Sequence, residues 1–382
     1  MPAENPFVYG EIVPSAAFVG REVEMSRLVN DLASGQKVFL ISPRRYGKSS
    51  LIRQAFTTLA RQKIATLEFT VSSFSSYVAF LEGYARALVG LGSRSTQPRS
   101  WVRDLFTTVK PEVRVGAGGS GGVSLAFPSV RTPRDAARLA DEVFALPARL
   151  ADRLGRRLVI ALDEFQTIRA FNGGSVEEAL RAAVQQQRQV GYVFAGSEPS
   201  LMEQMIGHKR PFYKAGPVMR LQKLPIDVFA GFVDQRFRKS GLTPEPGLGH
   251  AVVDLAGNLP YDVQRLAHET WDDVTAAKRR RVTLDDLHET LHRLLAEQDT
   301  MFETIWQRFT LAQRATLRAV VLEHGEELLS ADVRERHRLG GASSVQTSLA
   351  ALMRDDVIAR ADDGHYAAVD SLLREWVARK TF

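Results

Sequence analysis

The stretch that most constrains this chain is residues 42–49, which read SPRRYGKS. Residues 37–42 before it form a short apolar run typical of a buried strand, and residues 48–62 carry apolar residues at helical spacing. The stretch matches the pattern G-x-x-x-x-G-K-[ST] at every position but the first, where Ser42 stands for Gly. Backbone N–H groups of such a loop wrap around phosphate groups. The sequence therefore predicts a nucleoside-triphosphate site between this strand and this helix.

Each residue of the loop has an expected part in holding ATP and Mg²⁺. Gly47 permits the tight backbone, Lys48 reaches the β- and γ-phosphates, and the Ser49 hydroxyl binds Mg²⁺. The following helix points the positive end of its dipole at the phosphates. The predicted nucleotide-binding residues of the loop are Pro43, Arg44, Arg45, Tyr46, Gly47, Lys48, Ser49 and Ser50. The two arginines have two open interpretations: added charge beside the triphosphate, or an outward contact with a partner.

Two further strand-like segments end in polar residues. Residues 157–165 are an apolar run that ends in the adjacent carboxylates Asp163 and Glu164. At the carboxyl end of a parallel sheet, Asp163 is expected to hold Mg²⁺ through water, and Glu164 to polarise the attacking water as general base. Residues 191–197 form another such run, whose last residue, Ser197, is placed to contact the γ-phosphate or that water. The predicted catalytic residues are thus Glu164, Lys48 and Ser197.

The order of segments predicts an α/β fold over residues 1–225, a parallel sheet sandwiched by helices. The expected strands are 37–42, 64–70, 157–165 and 191–197, and the expected helices are 48–62, 77–91, 135–154 and 176–189. Residues 111–127 predict an inserted hairpin around the glycine-rich stretch 116–122. Those glycines favour a flexible loop tip over a second phosphate loop, because no Lys followed by Ser or Thr closes the stretch.

The remaining chain predicts two smaller domains. From about Asp227 the strand pattern vanishes, and residues 226–298 predict a helical lid. Its helices are 227–239, 248–256, 260–277 and 284–295, and the basic run 278–281 is either a solvated turn or a phosphate contact. Residues 299–382 predict a winged helix-turn-helix, with helices 310–323, 330–337 and 343–355 and a hairpin at 357–369 that turns at 362–364.

The third helix of the winged helix has a core face and an outward face. Val345, Leu349 and Leu352 share the core face. The outward residues that are placed to meet DNA base edges are Ser343, Ser344, Gln346 and Thr347. The residues just upstream that could contact phosphates are Arg334, Arg336, His337 and Arg338. Negative charge beside the wing comes from Asp355, Asp356, Asp362 and Asp363, and residues 301–382 carry a net charge of −1. Because DNA affinity depends on neutralising phosphates, duplex DNA binding and a protein-contacting or structural role both stay open.

Taken together, these motifs resemble the archaeal-type ATPase family within the AAA+/STAND group of P-loop NTPases. The matching segments are Phe18 to Glu22 (F-x-G-R-E), Pro43 to Ser49 (P-R-R-x-G-K-[ST]), Asp163 to Gln166 (D-E-[FI]-Q), Gly196 with Ser197 (G-S), Pro211 to Tyr213 (P-[LF]-Y) and Gly257 to Pro260 (G-x-P). The resemblance implies ATP binding, a helical lid and a C-terminal winged helix.

The resemblance also implies roles for particular residues. It places Phe18, Val19, Gly20 and Arg21 beside the adenine, and Pro260 in the lid's contribution to the nucleotide site. In the family an arginine that acts in trans usually follows the P-[LF]-Y segment, whereas Lys214 and Ala215 follow here. The alternatives for that arginine are Lys214, Arg210 and Arg220.

Composition excludes several classes of chemistry. The chain has no Cys, which excludes disulfides, thiolate zinc sites and cysteine nucleophiles. The longest apolar runs are strand length, and the first ten residues lack a basic segment followed by an apolar one, so we expect a cytoplasmic protein with no membrane contact. The net charge of +6 arises from residues 1–150, with nineteen Lys and Arg against twelve Asp and Glu.

Three functions are compatible with these patterns. The favoured one is an AAA+ type ATPase that acts as a slow molecular switch, hydrolysing ATP to ADP and closing when ATP is bound. A DNA-binding protein regulated by nucleotide is the second, and a non-hydrolysing ATP-binding scaffold for a protein partner is the third. An oligomer is compatible with all three.

Overall fold

The computed structural model describes residues 4–11, 13–14, 17–92, 99–115, 123–171, 174–360 and 364–380. The chain divides into two compact units. The sheet unit consists of Ile12–Lys223, and the helical unit consists of Met1–Glu11 together with Leu224–Phe382. None of the described helices is both long enough and apolar enough to cross a membrane.

The sheet unit is built on a parallel sheet of five strands in the order β2-β5-β6-β1-β7. Its strands are β1 (Lys37–Ile41), β2 (Ala65–Thr70), β3 (Glu112–Val115), β4 (Val123–Ala126), β5 (Leu158–Asp163), β6 (Val190–Gly196) and β7 (Val218–Arg220), of which β3 and β4 form a separate antiparallel hairpin. Its helices are α1 (Glu22–Ala33), α2 (Lys48–Arg61), α3 (Tyr77–Gly92), α4 (Arg99–Arg103), α5 (Pro133–Leu154), α6 (Gly174–Gln186) and α7 (Pro199–Ile206).

The central strands are apolar because helices cover both faces of the sheet. Every residue of β5 and of β6 is buried, as expected of inner strands in a parallel sheet. Alternate residues enter two separate cores, so that Ile160 faces the side of α3 and α5 whereas Val159 faces the side of α1 and α2. The carboxyl ends of β1, β5 and β6 consequently meet at one edge, where the polar residues that follow them lie together.

The predicted elements of the sheet unit are confirmed, with shifts of a few residues at their ends. Helix α5 begins at Pro133 because Thr132 and Asp135 form a reciprocal capping box. The hairpin insert is confirmed as β3 and β4, while its glycine stretch 116–122 lies outside the described residues. Four elements were not predicted: α1, α4, α7 and β7. Three of them have eight residues or fewer, too short for a clear hydrophobic period.

The helical unit contains eight helices among its described residues. They are α8 (Ile226–Lys239), α9 (Leu248–Leu255), α10 (Pro260–Ala276), α11 (Leu284–Gln307), α12 (Leu311–Leu322), α13 (Ala331–Arg336), α14 (Ala342–Arg354) and α15 (Ser371–Arg379). Its strands are β8 (Thr243–Pro244), β9 (Arg281–Val282), β10 (Ile358–Arg360) and β11 (Tyr366–Ala368). Helix α11 has 24 residues and continues across residues 298 and 299, the predicted boundary between the lid and the winged helix domain.

One expectation for the lid is wrong. The sequence showed no strand pattern after Asp227, yet β8 and β9 pair in parallel, with the Thr243 N–H donating to the Arg280 carbonyl at 2.7 Å. Two residues a strand are too few to leave an alternating pattern. The basic run 278–281 leads into β9, and within it Arg279 forms a 2.6 Å ion pair with the buried Asp286.

The first residues of the chain pack within the helical unit, whereas the sequence assigned them to the sheet domain. The ring of Phe7 is buried and lies 4.7 Å from the ring of Phe237 in α8. The Tyr9 hydroxyl donates to Glu269 in α10 at 2.7 Å, and this hydrogen bond, with burial, raises the pKa of Tyr9 to about 12. The apolar contact of Phe7 and the hydrogen bond of Tyr9 thus attach this segment to two helices of the helical unit.

The winged helix elements are confirmed as α12, α13 and α14 followed by the antiparallel pair β10 and β11. Val345, Leu349 and Leu352 are buried as predicted. The expected turn includes residues 362 and 363, which lie outside the described residues. Helix α15 was not predicted; it begins where the Asp370 side chain accepts a hydrogen bond from the Leu373 N–H.

Candidate nucleotide-binding site

The loop between β1 and α2 has the backbone geometry that close approach of an anion requires. Gly47 precedes α2 with φ +86°, in the left-handed region that favours glycine, and Arg45 also has a positive φ of 69°. Ser42 is completely buried, and its hydroxyl donates to the Pro43 carbonyl at 2.9 Å. The serine at the first position of the motif is therefore accommodated by a hydrogen bond inside the loop.

Lys48, the first residue of α2, connects the loop to the end of β5. Its ammonium group is buried and forms an ion pair with the Asp163 carboxylate, and it lies 3.5 Å from Oε1 of Glu164. The Glu164 backbone N–H also donates to Asp163 Oδ1 at 3.0 Å. Two carboxylates thus surround one cation at the positive end of a helix dipole, where an anionic ligand would compete for the same lysine.

Glu164 has one oxygen held by hydrogen bonds and another that faces Lys48. Its Oε2 accepts hydrogen bonds from the Ser197 hydroxyl and from the amide of Gln166, each at 2.6 Å. Burial raises the pKa of this carboxyl, but the Ser197 hydrogen bond, the Lys48 charge and the Gln166 hydrogen bond outweigh it, so that the net pKa is lowered. The residue is therefore ionised at neutral pH and able to accept a proton.

Gly196, the last residue of β6, makes room for this network. A Cβ atom at this position would collide with the Met202 side chain and lie 2.8 Å from Oε1 of Gln166. The Gln166 amide also donates to Glu198 at 3.2 Å. The sequence did not assign a role to Gln166 or Glu198, although the D-E-F-Q match includes the glutamine.

Arg21 stabilises the loop through a contact with the loop backbone. Its guanidinium group is buried, forms a 2.8 Å ion pair with Glu24, and donates from Nη2 to the carbonyl of Tyr46 at 3.4 Å and to the carbonyl of Gln222. It therefore joins the segment before α1, the loop, and the segment after β7. The sequence placed Arg21 beside the adenine; the observed contacts are with the Glu24 side chain and with two backbone carbonyls.

The segment before Phe18 is attached to the first turns of α2. The Val13 N–H donates to the Ser50 hydroxyl at 3.4 Å, and the Val13 carbonyl accepts from the Gln54 amide at 3.1 Å. Phe18 packs, half-buried, against the core that α1 and α2 share. The hydroxyl of Ser50 is thus used to hold a neighbouring segment.

The predicted site residues consequently fall into three groups. Lys48 contacts Asp163 and Glu164, and Glu164 in turn contacts Ser197. The partly buried residues beside them are Pro43, Tyr46, Gly47, Ser49, Ser50, Phe18, Val19 and Gly20, whereas Arg44 and Arg45 are exposed. Pro260 belongs to the helical unit, where it is the first residue of α10.

The oxygen atoms that the protein offers at this site can bind Mg²⁺ only if a nucleotide supplies further ligands. In the described part of the chain, no group of three or more His, Asp or Glu side chains is arranged to hold a metal ion. Ser49 and Asp163 offer a hydroxyl and a carboxylate, both hard oxygen donors. Mg²⁺ commonly binds through one or two protein ligands together with phosphate oxygens and water, so these residues fit such an ion.

The candidates for a trans-acting arginine have different surroundings. Tyr213 is exposed, and the Lys214 ammonium lies 5.3 Å from the centre of its ring. Arg220 forms a 3.2 Å ion pair with Glu203 on the surface of the sheet unit. The Arg210 charge lowers the pKa of Glu177, whose net pKa is nevertheless raised by burial. None of these surroundings selects one cation over the others.

The winged helix presents the predicted polar face, but most of its cations have partners. Exposed side chains on this face of α14 are Ser343, Ser344, Gln346 and Thr347. Arg336 and His337 both bind Glu323, at 2.8 and 2.6 Å, and these hydrogen bonds lower the pKa of the glutamate. The Arg334 guanidinium donates to the carbonyls of Leu329 and Ser330. Their charge is therefore less available to phosphates than the sequence indicated.

The architecture is the one found in AAA+ type P-loop ATPases, with a winged helix after the helices that follow the sheet unit. Residues 300–379 match a family described as a probable winged helix domain. No curated protein matches the chain by sequence.

Solved structures share this architecture over nearly the whole chain. A Walker-type ATPase of Pyrococcus abyssi is 16% identical with a TM-score of 0.62, and the match covers 96% of this chain and 99% of that one. The ORC2 protein of Aeropyrum pernix, in ADPNP–ADP complexes, is 14% identical with a TM-score of 0.56, over 98% of this chain and 96% of that one. The ORC1 protein of the same organism, in complex with DNA, is 12% identical with a TM-score of 0.52, over 96% and 95%. At these identities the likeness establishes the fold.

Proposed function

We propose that the protein binds ATP with Mg²⁺ at the loop of residues 43–49 and hydrolyses it slowly to ADP, as a molecular switch. The observation that supports this most strongly is the contact of one buried lysine with two carboxylates at the end of β5. A triphosphate brings negative charge to the same helix N-terminus and would draw Lys48 from the carboxylates to its β- and γ-phosphates.

Glu164 is the proposed general base, and its two oxygens would have different parts. Oε2 stays bound to the Ser197 hydroxyl and the Gln166 amide, which fixes the plane of the carboxylate. Oε1 faces Lys48 and becomes available once the lysine moves to the phosphates. It would then accept a proton from the attacking water. Ser49 and Asp163 would hold Mg²⁺, which when bound neutralises charge on the phosphates.

Slow turnover is part of the proposal for two reasons. The lysine must leave a buried ion pair before it can stabilise the phosphates, and breaking such a pair is costly. The segment after Tyr213 also lacks the arginine that would stabilise charge in the transition state, a contribution of about 10³-fold or more in rate where it is present. ATP would therefore stay bound long enough for the ATP-bound conformation to act as one state of the switch.

The test compares ATP binding with ATP turnover in matched variants. Glu164→Gln should bind Mg²⁺–ATP with unchanged affinity and lose at least about 100-fold in turnover, because an amide cannot accept the proton. Glu203→Gln is the control, since this exposed glutamate in α7 pairs with Arg220 instead. Normal turnover by Glu164→Gln would remove the assignment of the base. Binding without turnover in the wild type would favour the non-hydrolysing scaffold.

A second candidate function is nucleotide-regulated DNA binding through the winged helix. It is supported by the family match at residues 300–379 and by the exposed polar face of α14. The ORC1 protein of similar fold was solved in complex with DNA. The test is duplex affinity with ATP and with ADP, in the wild type and in a variant with Gln346→Ala and Thr347→Ala; equal affinities throughout would refute it.

A further inference from the structure

We propose that the amino-terminal edge of the central sheet binds the phosphate backbone of nucleic acid. This edge carries five exposed cations in the turns that precede three neighbouring strands. The basic edge, as we name it, comprises Arg61, Lys63, Arg156, Arg157 and Arg188. It belongs entirely to the sheet unit and shares no residue with the proposed ATP site or with the winged helix.

Backbone hydrogen bonds hold the three turns side by side. The Ala65 N–H of β2 donates to the Arg157 carbonyl at 3.0 Å, and the Leu158 N–H of β5 donates to the Gln189 carbonyl at 3.2 Å. The strands β2, β5 and β6 are adjacent, and neighbouring strands lie about 4.8 Å apart. The backbones of the three turns therefore lie within roughly 10 Å of one another. The long side chains of Arg and Lys extend beyond this span.

The positive charge of the basic edge is not neutralised within the described part of the chain. None of the five cations forms an ion pair with a described residue, although Arg157 donates to the Ala33 carbonyl at the end of α1. Two acidic residues near these turns, Asp152 and Asp31, contact the Gln189 amide at 3.1 Å and Arg27 at 3.9 Å, and they are fewer than the five cations. The edge therefore keeps a local excess of positive charge.

A purely structural explanation covers only part of this cluster. Arg61 ends α2 and Arg157 binds a carbonyl at the end of α1, and cations stabilise the negative ends of helix dipoles there. Lys63, Arg156 and Arg188 follow helix ends without donating a side-chain hydrogen bond to any described residue. Stability alone gives no reason to gather these three at one edge, where their mutual repulsion costs energy.

The chemistry of the surface favours nucleic acid over a membrane or an acidic protein. Four of the five cations are arginines, whose planar guanidinium groups suit phosphate oxygens. Exposed amides that could donate to the same oxygens are Gln62, Gln185 and Gln186. None of the exposed large apolar side chains of the described chain lies in these turns, so the edge offers nothing to insert into lipid or to bury in a protein interface. Binding through phosphates alone is independent of base sequence.

The basic edge is separated from the proposed ATP site by the length of the sheet. The site lies at the carboxyl ends of the strands, and β5 has six residues, so about 20 Å of strand separates its two ends. Substitutions at the basic edge should consequently leave ATP binding intact. This separation makes the two proposals testable independently.

The experiment measures fluorescence anisotropy of a labelled duplex of about 30 base pairs and of a labelled single-stranded RNA, at several KCl concentrations from about 50 mM upward. The test variant replaces Arg61, Lys63, Arg156 and Arg188 by Gln and keeps Arg157, which binds Ala33. We expect its affinity to fall at least about tenfold, and the slope of log affinity against log salt to decrease by roughly three to four for the duplex.

The matched control replaces four other exposed cations of the sheet unit, Arg103, Lys110, Arg131 and Arg134, by Gln, which changes the net charge equally. The control should retain affinity, and both variants should remain folded in thermal melts and keep the wild-type Mg²⁺–ATP affinity. Equal affinity of the two variants would overturn the proposal, as would absence of nucleic-acid binding by the wild type. If the test variant lost binding only to anionic lipid vesicles, or only to a polyglutamate probe, that result would also overturn the proposal. It would identify a membrane or an acidic protein as the partner instead.

Discussion

The hydroxyl of Ser197 donates a 2.6 Å hydrogen bond to the carboxylate of Glu164, across the ends of the neighbouring strands β6 and β5. Two residues 33 positions apart in the chain are thus in contact, because parallel strands bring their carboxyl ends to the same edge. The relationship assigns Ser197 a contact with the proposed base, whereas the sequence placed it at the γ-phosphate or the water.

Replacing Ser197 by Ala should raise the pKa of Glu164, since burial would then be opposed by one hydrogen bond fewer. A lowered pKa means that the carboxylate stabilises the fold above its unfolded-state pKa of about 4.5, and that this contribution is lost as the pH falls through the folded-state value. In Ser197→Ala this contribution should be smaller, and its loss should be complete at a higher pH than in the wild type. The check is urea unfolding between about pH 3.5 and pH 7.

The same substitution should shift the acidic limb of the turnover profile to higher pH, because the base acts only when it is ionised. Ser200→Ala is the control, since this neighbouring serine lies on the exposed side of α7. Superimposable pH profiles for Ser197→Ala and the wild type would contradict the role given to this hydrogen bond.

Replacing Gly196 by Ala should destabilise the sheet unit by about 1–3 kcal/mol, the usual cost of overpacking a core. The added methyl group would collide with Met202 and press on Gln166, so ATP turnover should fall as well. Chemical denaturation measures the loss. In Gly231→Ala the added Cβ meets open space in an exposed helix, and a gain of about 0.5–1 kcal/mol is expected. A neutral Gly196→Ala would show that the site tolerates a side chain there.

Replacing Arg21 by Lys should weaken both the fold and ATP binding although the charge is kept. A lysine cannot reproduce the forked contacts with Glu24 and with the carbonyls of Tyr46 and Gln222, and the loss of a hydrogen bond from a charged donor costs about 1.5–3 kcal/mol. Thermal melts and ATP titrations measure the two effects. Arg27→Lys, on the exposed side of α1, should change neither.

The sequence predicted the longer helices and strands, because their apolar residues recur in a recognisable pattern. It also predicted the site residues that belong to compact sequence motifs. Strand β5 was predicted from the apolar run that precedes Asp163 and Glu164, and all six of its residues are buried in the structure. The pair β8 and β9 left no pattern because each strand has two residues, and the packing of Phe7 on Phe237 joins residues 230 positions apart. Long-range contacts of single side chains leave no local periodicity.

The same limit explains what was missed in the site. Arg336 and His337, which the sequence placed near phosphates, both pair with Glu323, and only coordinates show such a pair. The basic edge was missed for a related reason. Its cations are scattered over residues 61–188 and are gathered only by the strand order β2-β5-β6.

The most direct test of the account is calorimetric titration of the folded protein with ATP in the presence of Mg²⁺. The wild type should bind one ATP, and Lys48→Ala should bind roughly 30-fold more weakly, since a lost charged hydrogen bond to phosphate is worth about 2 kcal/mol. A folded wild-type sample with no affinity for any nucleoside triphosphate, or a Lys48→Ala variant with undiminished affinity, would contradict the account.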